Sequence, residues 1–115
     1  MNYQGSCHCG KLKFEAEGEI RQVLECNCSY CARKGSLLWF VPRANFTFRA
    51  GENESTVYKF NKHVIAHHFC PTCGCQPYAF AADPAGNEMA AINTRCLEDV
   101  DTSAVPHQAY DGKHS

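Results

Sequence analysis

Cys70-Pro71-Thr72-Cys73-Gly74 has the spacing of a metal-binding turn, two thiols three positions apart with a glycine directly after the second. Cys7-His8-Cys9-Gly10 repeats the design with a shorter bite. Residues i and i+2 of an extended chain share a face, so Cys-x-Cys can also present both sulfurs to one ion. A third group, Cys26-Asn27-Cys28-Ser29-Tyr30-Cys31, runs on through Ala32-Arg33-Lys34 and meets no glycine until Gly35. Together the groups take seven of the nine cysteines, and seven is four plus three. A closed structural zinc takes four thiolates, whereas a catalytic zinc keeps three protein ligands and an open position. Glycine after a ligand permits φ > 0, which turns backbone N–H groups toward the sulfurs. The two glycine-terminated groups, Cys7/Cys9 and Cys70/Cys73, therefore pair as the closed site, and Cys26, Cys28 and Cys31 form the open one.

Disulfides are the competing use of cysteine. Nine is an odd number, the opening MNYQGSCHCG has no charged-then-apolar signal region, and no apolar run approaches the roughly 18 residues that span a membrane. A reducing, cytoplasmic setting is expected, and there such spacings favour metal. A chain of 115 residues is expected to fold as one domain with an adequate but not generous core. Structural zinc contributes about 10–16 kcal/mol in small domains, as much as the whole stability of a typical fold, so closure of the four-cysteine site is expected to be a condition of folding. The formal charge of −1 leaves no electrostatic footprint for nucleic acid or a membrane surface. Seven thiolates holding two divalent ions would make it more negative still.

The pattern between the cysteines is mostly strand. Lys11 to Glu17 alternates charged and apolar residues, which puts Leu12, Phe14 and Ala16 on one face of a half-buried antiparallel strand. Leu37-Leu38-Trp39-Phe40-Val41, stopped by Pro42, reads as a fully buried strand. Phe46-Thr47-Phe48 and Val57-Tyr58-Lys59-Phe60 flank a polar turn at Gly51-Glu52-Asn53-Glu54. Val64 to Phe69 leads into the Cys70 group, and Gln76 to Ala82 leaves it before a turn at Asp83-Pro84-Ala85-Gly86-Asn87. Met89 to Cys96 is the last strand expected, and the polar tail from Glu98 reads as loop and short elements covering one edge. No linker, repeat or low-complexity tract divides the chain.

These motifs carry a resemblance. Gly5-Ser6-Cys7-His8-Cys9-Gly10, Cys26-Asn27-Cys28-Ser29-Tyr30-Cys31 with its basic continuation and Gly35-Ser36, Phe69-Cys70-Pro71-Thr72-Cys73-Gly74, and Asn93-Thr94-Arg95-Cys96-Leu97 resemble the glutathione-dependent formaldehyde-activating enzyme family, which includes centromere protein V. The likeness runs in order over roughly residues 3 to 101. It implies a mainly β, single-domain, zinc-stabilised β-tent of antiparallel sheets with two zinc ions per chain. Carried over, Cys7, Cys9, Cys70 and Cys73 hold the structural ion, and Cys26, Cys28 and Cys31 hold the catalytic one. The implied activity is that of a carbon–sulfur lyase acting on a small-molecule thiol and an aldehyde, as in formation of S-hydroxymethylglutathione.

An open three-thiolate zinc suits that chemistry. It can polarise a carbonyl or hold a thiol as thiolate at neutral pH. Three thiolates donate enough charge to weaken the ion as a Lewis acid, which favours thiol handling over water activation, and no H-E-x-x-H base motif is present. Arg33 and Lys34 could pair the carboxylates of a glutathione-like substrate, or be a solvated turn. Cys75 and Cys96 lack a partner at ligand spacing and read as small buried hydrophobes. His8 reads as a solvent-facing residue between ligands. His67 and His68 alternate across a strand, so at most one faces the centre, with packing favoured over ligation or proton transfer. Arg95 is expected either near the site or capping a strand. The alternative to an enzyme is a non-catalytic zinc-structured interaction module, whose open position would be filled by a fourth protein ligand.

Overall fold

The computed structural model describes residues 1–59 and 65–111. The Lys11–Glu17 alternation folds as expected: β2 (Lys13–Glu17) lies between β1 (Asn2–Ser6) and β5 (Phe46–Ala50) in a three-stranded antiparallel sheet. Leu12, Phe14 and Ala16 are all at most 1% exposed, so the period-2 pattern marks the core face.

A second sheet holds seven strands in the order β10-β3-β4-β9-β8-β7-β6. These are β3 (Val23–Cys26), β4 (Leu38–Pro42), β6 (Thr56–Tyr58), β7 (Ala66–Phe69), β8 (Tyr78–Ala82), β9 (Glu88–Asn93) and β10 (His107–Tyr110). Every described pairing is antiparallel except β10 with β3. The chain is thus mainly β, a compact body of antiparallel sheets with a radius of gyration of 13.2 Å, close to the roughly 13 Å expected for one domain of this length.

An aromatic cluster fills the space between the sheets. Phe14 stacks on Phe46 at 5.3 Å and meets Tyr78 edge-on at 5.6 Å, while Ile92 and Leu97 close the cluster from β9 and beyond. Burying each such side chain contributes about 1.5–3 kcal/mol, and offset or edge-on rings add about 0.5–1.5 kcal/mol per pair. Trp39 donates its indole N–H to the Glu19 carbonyl at 3.1 Å, which satisfies its polar atom at the cluster's margin.

Three expectations are corrected. The Leu37–Val41 run is not fully buried: Trp39 and Val41 point inward, but Phe40 is 43% exposed because the outer face of this antiparallel sheet meets solvent. The last expected strand ends at Asn93, whose side chain accepts from the Arg95 N–H and caps a 3₁₀ turn over Thr94–Cys96. The polar tail does cover an edge, but partly as a true strand, β10, whose four residues are all exposed and so carry no hydrophobic signature. The turns at Gly51–Glu54 and Asp83–Asn87 form as read, the second held by two N–H groups donating to the Asp83 carboxylate. Phe60 and Val64, which the sequence reading placed in strands, lie outside the described residues.

β10 is fastened by His107, whose Nδ1 faces the Glu25 carboxylate and whose Nε2 lies 2.9 Å from the Thr102 carbonyl. Both partners are acceptors, so the protonated ring can donate to both at once, and the arrangement favours the imidazolium. The Thr102 carbonyl and then Glu25 accordingly raise its pKa above the ordinary 6.5. A raised folded-state value stabilises the attachment below pH 6.5, and that stability is lost as pH rises through the folded-state value. Hydrogen exchange corrected for intrinsic rates should show β10 losing protection as pH rises above 6.5 through the raised folded-state value of His107, while β8 and β9 keep theirs, and His107→Gln should flatten that dependence.

Gly5 of β1 lies directly against the ring of Phe14, opposite it in the ladder. A Cβ there would sit 2.4 Å from Phe14 Cζ and 3.0 Å from the Cys96 carbonyl oxygen. Because the ring is fixed in the core, Gly5→Ala should destabilise by about 1–3 kcal/mol in urea denaturation, with the slope unchanged.

Candidate active site and metal centres

The β1–β2 connection and the turn after β7 bring four sulfurs together, Cys7, Cys9, Cys70 and Cys73, all within 4.8 Å of one another. The Cys7–Cys9 sulfurs are 3.7 Å apart and Cys9–Cys70 3.6 Å. Tetrahedral zinc with bonds of about 2.3 Å separates its sulfurs by about 3.7 Å, so the donor set has the size of a zinc tetrahedron. Cys7 and Cys70 are buried, with Leu12 and the half-buried Cys75 packed against them.

The glycines act as anticipated. Gly10 has φ 84° and Gly74 φ 80°, each closing a turn: Gly10 N–H donates to the Cys7 carbonyl, and Gly74 N–H to the Cys70 carbonyl. Backbone N–H groups reach the sulfurs from Leu12 to Cys7 at 3.3 Å and from Cys73 to Cys70 at 3.5 Å. N–H groups of Cys75 and Cys9 draw the Cys73 thiol down to about 5. Cys9 moves the other way, to about 11: the Lys11 N–H favours its thiolate, but burial and the neighbouring thiols outweigh it.

The second cluster is Cys26, Cys28 and Cys31, again with all sulfurs within 4.8 Å. Cys26 ends β3. Cys28 is the N-cap of a six-residue helix, α1 (Ser29–Lys34), and its Sγ accepts from the Cys31 N–H at 3.3 Å. Gly35 closes the helix in a left-handed conformation, with its N–H on the Cys31 carbonyl. This helix was not anticipated: Cys28-x-x-Cys31 reads equally as a turn, and one and a half helical turns leave too few residues for a periodic pattern. Burial works against ionisation of Cys28, but N–H groups of Cys31 and Tyr30 with the neighbouring thiols lower its pKa. Burial pushes Cys31 and Cys26 up.

Thiolates this close repel by about 3–5 kcal/mol per pair at an effective dielectric near 20. Neither cluster can ionise fully by itself, and a divalent cation reverses the sign of that energy. Both donor sets fit zinc. Among the described residues no fourth Cys, His, Asp or Glu joins the three-cysteine cluster.

One hollow reaches this cluster at Cys26, and a second lies against α1. The first, about 250 Å³, is lined by Glu25, Cys26, Gly35, Ser36, Leu37 and Arg95. The second, about 220 Å³, is aromatic, lined by Tyr30, Tyr58 and Phe69 with Lys34 Nζ 5.7 Å from the Tyr30 and Phe69 ring centres. Arg33 turns back to donate to the Ser29 carbonyl at 2.8 Å. Sequence reasoning left Arg95 open between site and cap; it lies on the wall of the polar hollow.

His67 is buried, its ring 4.4 Å from that of Tyr30 and its Nδ1 3.4 Å from Gln76 Nε2, which is the packed role favoured from the sequence. Burial, then His68 and Lys34, lower its pKa. His68 faces the opposite way, toward Ser55, Tyr78 and Phe80. His8 is exposed. Cys96 joins neither cluster; its Sγ sits near the Gln76 carbonyl and Asn93, and burial raises it to about 12, as expected of an inert thiol.

A crystal structure of a Rhodobacter sphaeroides protein superposes with a TM-score of 0.79 at 27% sequence identity, covering 91% of this chain and 99% of the other. The family model described as glutathione-dependent formaldehyde-activating enzyme matches residues 2–111. With both cysteine clusters assembled inside that match, the chain belongs to the glutathione-dependent formaldehyde-activating enzyme family.

Proposed function

We propose that this chain is a zinc-dependent carbon–sulfur lyase that forms and cleaves the adduct of a small-molecule thiol with an aldehyde, acting in the cytoplasm as one zinc-binding domain. The observation that carries the reading is the four-plus-three division of the sulfurs, with no fourth protein donor beside Cys26, Cys28 and Cys31 among the described residues. Family membership supports the substrate class, glutathione and formaldehyde being named in it.

In this reading Cys7, Cys9, Cys70 and Cys73 hold a structural zinc, and Cys26, Cys28 and Cys31 hold the catalytic one. When bound there, the ion supplies a positive centre at which a substrate thiol is held as thiolate. The chain's own residues do the rest. β3 and α1 fix the three sulfurs, and the Cys31 N–H steadies Cys28 through the hydrogen bond at 3.3 Å. The hollow that Cys26 lines gives a substrate an approach to the cluster. In the forward direction the thiol's S–H bond breaks, its sulfur bonds to the aldehyde carbon, the C=O π pair moves to oxygen, and a proton ends there as the hydroxyl. The reverse step returns thiol and aldehyde.

The two clusters should differ in consequence. Cys73→Ser should leave an incomplete tetrahedron and a largely unfolded or insoluble chain, whereas Cys28→Ser should lose about one zinc and keep its fold. Circular dichroism with metal analysis checks this, and equal damage in both variants would refute the division of roles. Saturating chelator should likewise unfold the protein cooperatively as the structural ion leaves.

Activity is tested by NMR exchange. The zinc-loaded protein mixed with glutathione and formaldehyde should accelerate both formation and breakdown of the adduct, and Cys28→Ser should abolish that. Acceleration of neither direction, for any of several small aldehydes and thiols, would replace the enzyme with a non-catalytic zinc-structured module.

A further inference from the structure

A thiol such as glutathione carries carboxylates, and the site needs a cation to read them. The two basic residues nearest in sequence do not line the hollow that opens at Cys26: Arg33 turns back to donate to the Ser29 carbonyl, and Lys34 lies over Tyr30 and Phe69 on the aromatic hollow. Arg95 is differently placed. It reaches from the turn after β9 to donate its Nε to the Gly35 carbonyl at 3.1 Å, a contact spanning 60 residues that fixes the guanidinium plane against the end of α1. Its two terminal nitrogens have no protein hydrogen-bond partner among the described residues.

The hollow this guanidinium borders opens on Cys26, so a ligand there is beside a sulfur of the open cluster. Ser36, on the same wall, is only 6% exposed, and its hydroxyl has no protein partner among the described residues. The acidic wall residue, Glu25, would repel an anion, and its Oε1 meets His107, which offsets that charge when the ring is protonated. The hollow therefore presents a planar cation tethered at Nε and a hydroxyl, with its one acid facing His107. That is the equipment for a carboxylate, which a guanidinium grips with paired hydrogen bonds.

We propose that Arg95, with Ser36, is the recognition site for a carboxylate of the thiol substrate, seating it in the hollow beside Cys26. The inference rests on the thiol–aldehyde reading above and narrows it to acidic thiols. Arg95 acts in binding, not in bond formation.

The test titrates the zinc-loaded protein with three probes by isothermal calorimetry: glutathione, the uncharged thiol 2-mercaptoethanol, and S-methylglutathione, which keeps the carboxylates but has no free thiol. Arg95→Gln should weaken glutathione at least about tenfold, the loss of a charge-assisted pair, and leave 2-mercaptoethanol within about twofold. Arg95→Lys should recover part of the glutathione affinity. In kinetics the Gln variant should raise KM for glutathione with kcat nearly unchanged. Equal weakening of both thiols would mean that Arg95 only braces Gly35 and would overturn the proposal. Failure of the unmodified protein to bind either thiol would sink the thiol reading alone, because S-methylglutathione still decides the carboxylate site. Arg95-dependent binding of that probe supports the site, and its absence overturns it.

Discussion

Thiolates repel, and this fold is arranged around sulfurs that are close enough for the repulsion to matter. Cys9 and Cys70 are 61 positions apart in sequence and 3.6 Å apart at their sulfurs. That contact joins the first hairpin to the strand pair β7–β8, on two different sheets, at a point where the buried apolar side chains are few: Leu12 and the cysteines themselves. The aromatic cluster holds the sheets together at one end, and the sulfur cluster does so at the other. As thiolates these sulfurs repel, and a divalent cation among them would turn that repulsion into attraction, so the second junction is one that a bound metal ion would strengthen.

The same electrostatics divides the clusters by backbone support. Around Cys7 and Cys70, turn N–H groups point at sulfur and these two thiols are buried, while Cys9 is exposed and Cys73 half-buried. Around Cys26, Cys28 and Cys31 the thiols are half-buried, a short helix supplies N–H groups, and a hollow opens at Cys26. Four donors suit a fixed ion, whereas three leave room for exchange of a ligand.

Much of this was legible in the sequence because cysteine spacing and strand alternation are both local signals. Lys11–Glu17 gave its buried face directly, and Gly10 and Gly74 marked the turns that aim N–H groups at sulfur. What was not legible depended on distant partners. Phe40 is outward because of which sheet face lacks a cover, and nothing in Leu37–Val41 encodes that. β10 is four exposed residues that become a strand only by pairing with β3. Arg95 is similar: its neighbours in sequence read as a strand end, and its place beside Cys26 arises because Gly35 accepts its N–H across the fold.

The parallel pairing of β10 with β3 also bears on the order in which the molecule can be completed during synthesis. All four sulfurs of the first cluster exist once Cys73 has been made, so that junction can close while the C-terminal third is still being added. Tyr110 pairs with Cys26, and His107 covers Glu25, only after almost the entire chain is available. Such a contact, with its long loop to close, forms late. The flank of the three-cysteine cluster therefore closes after the four-cysteine junction has had its chance to form.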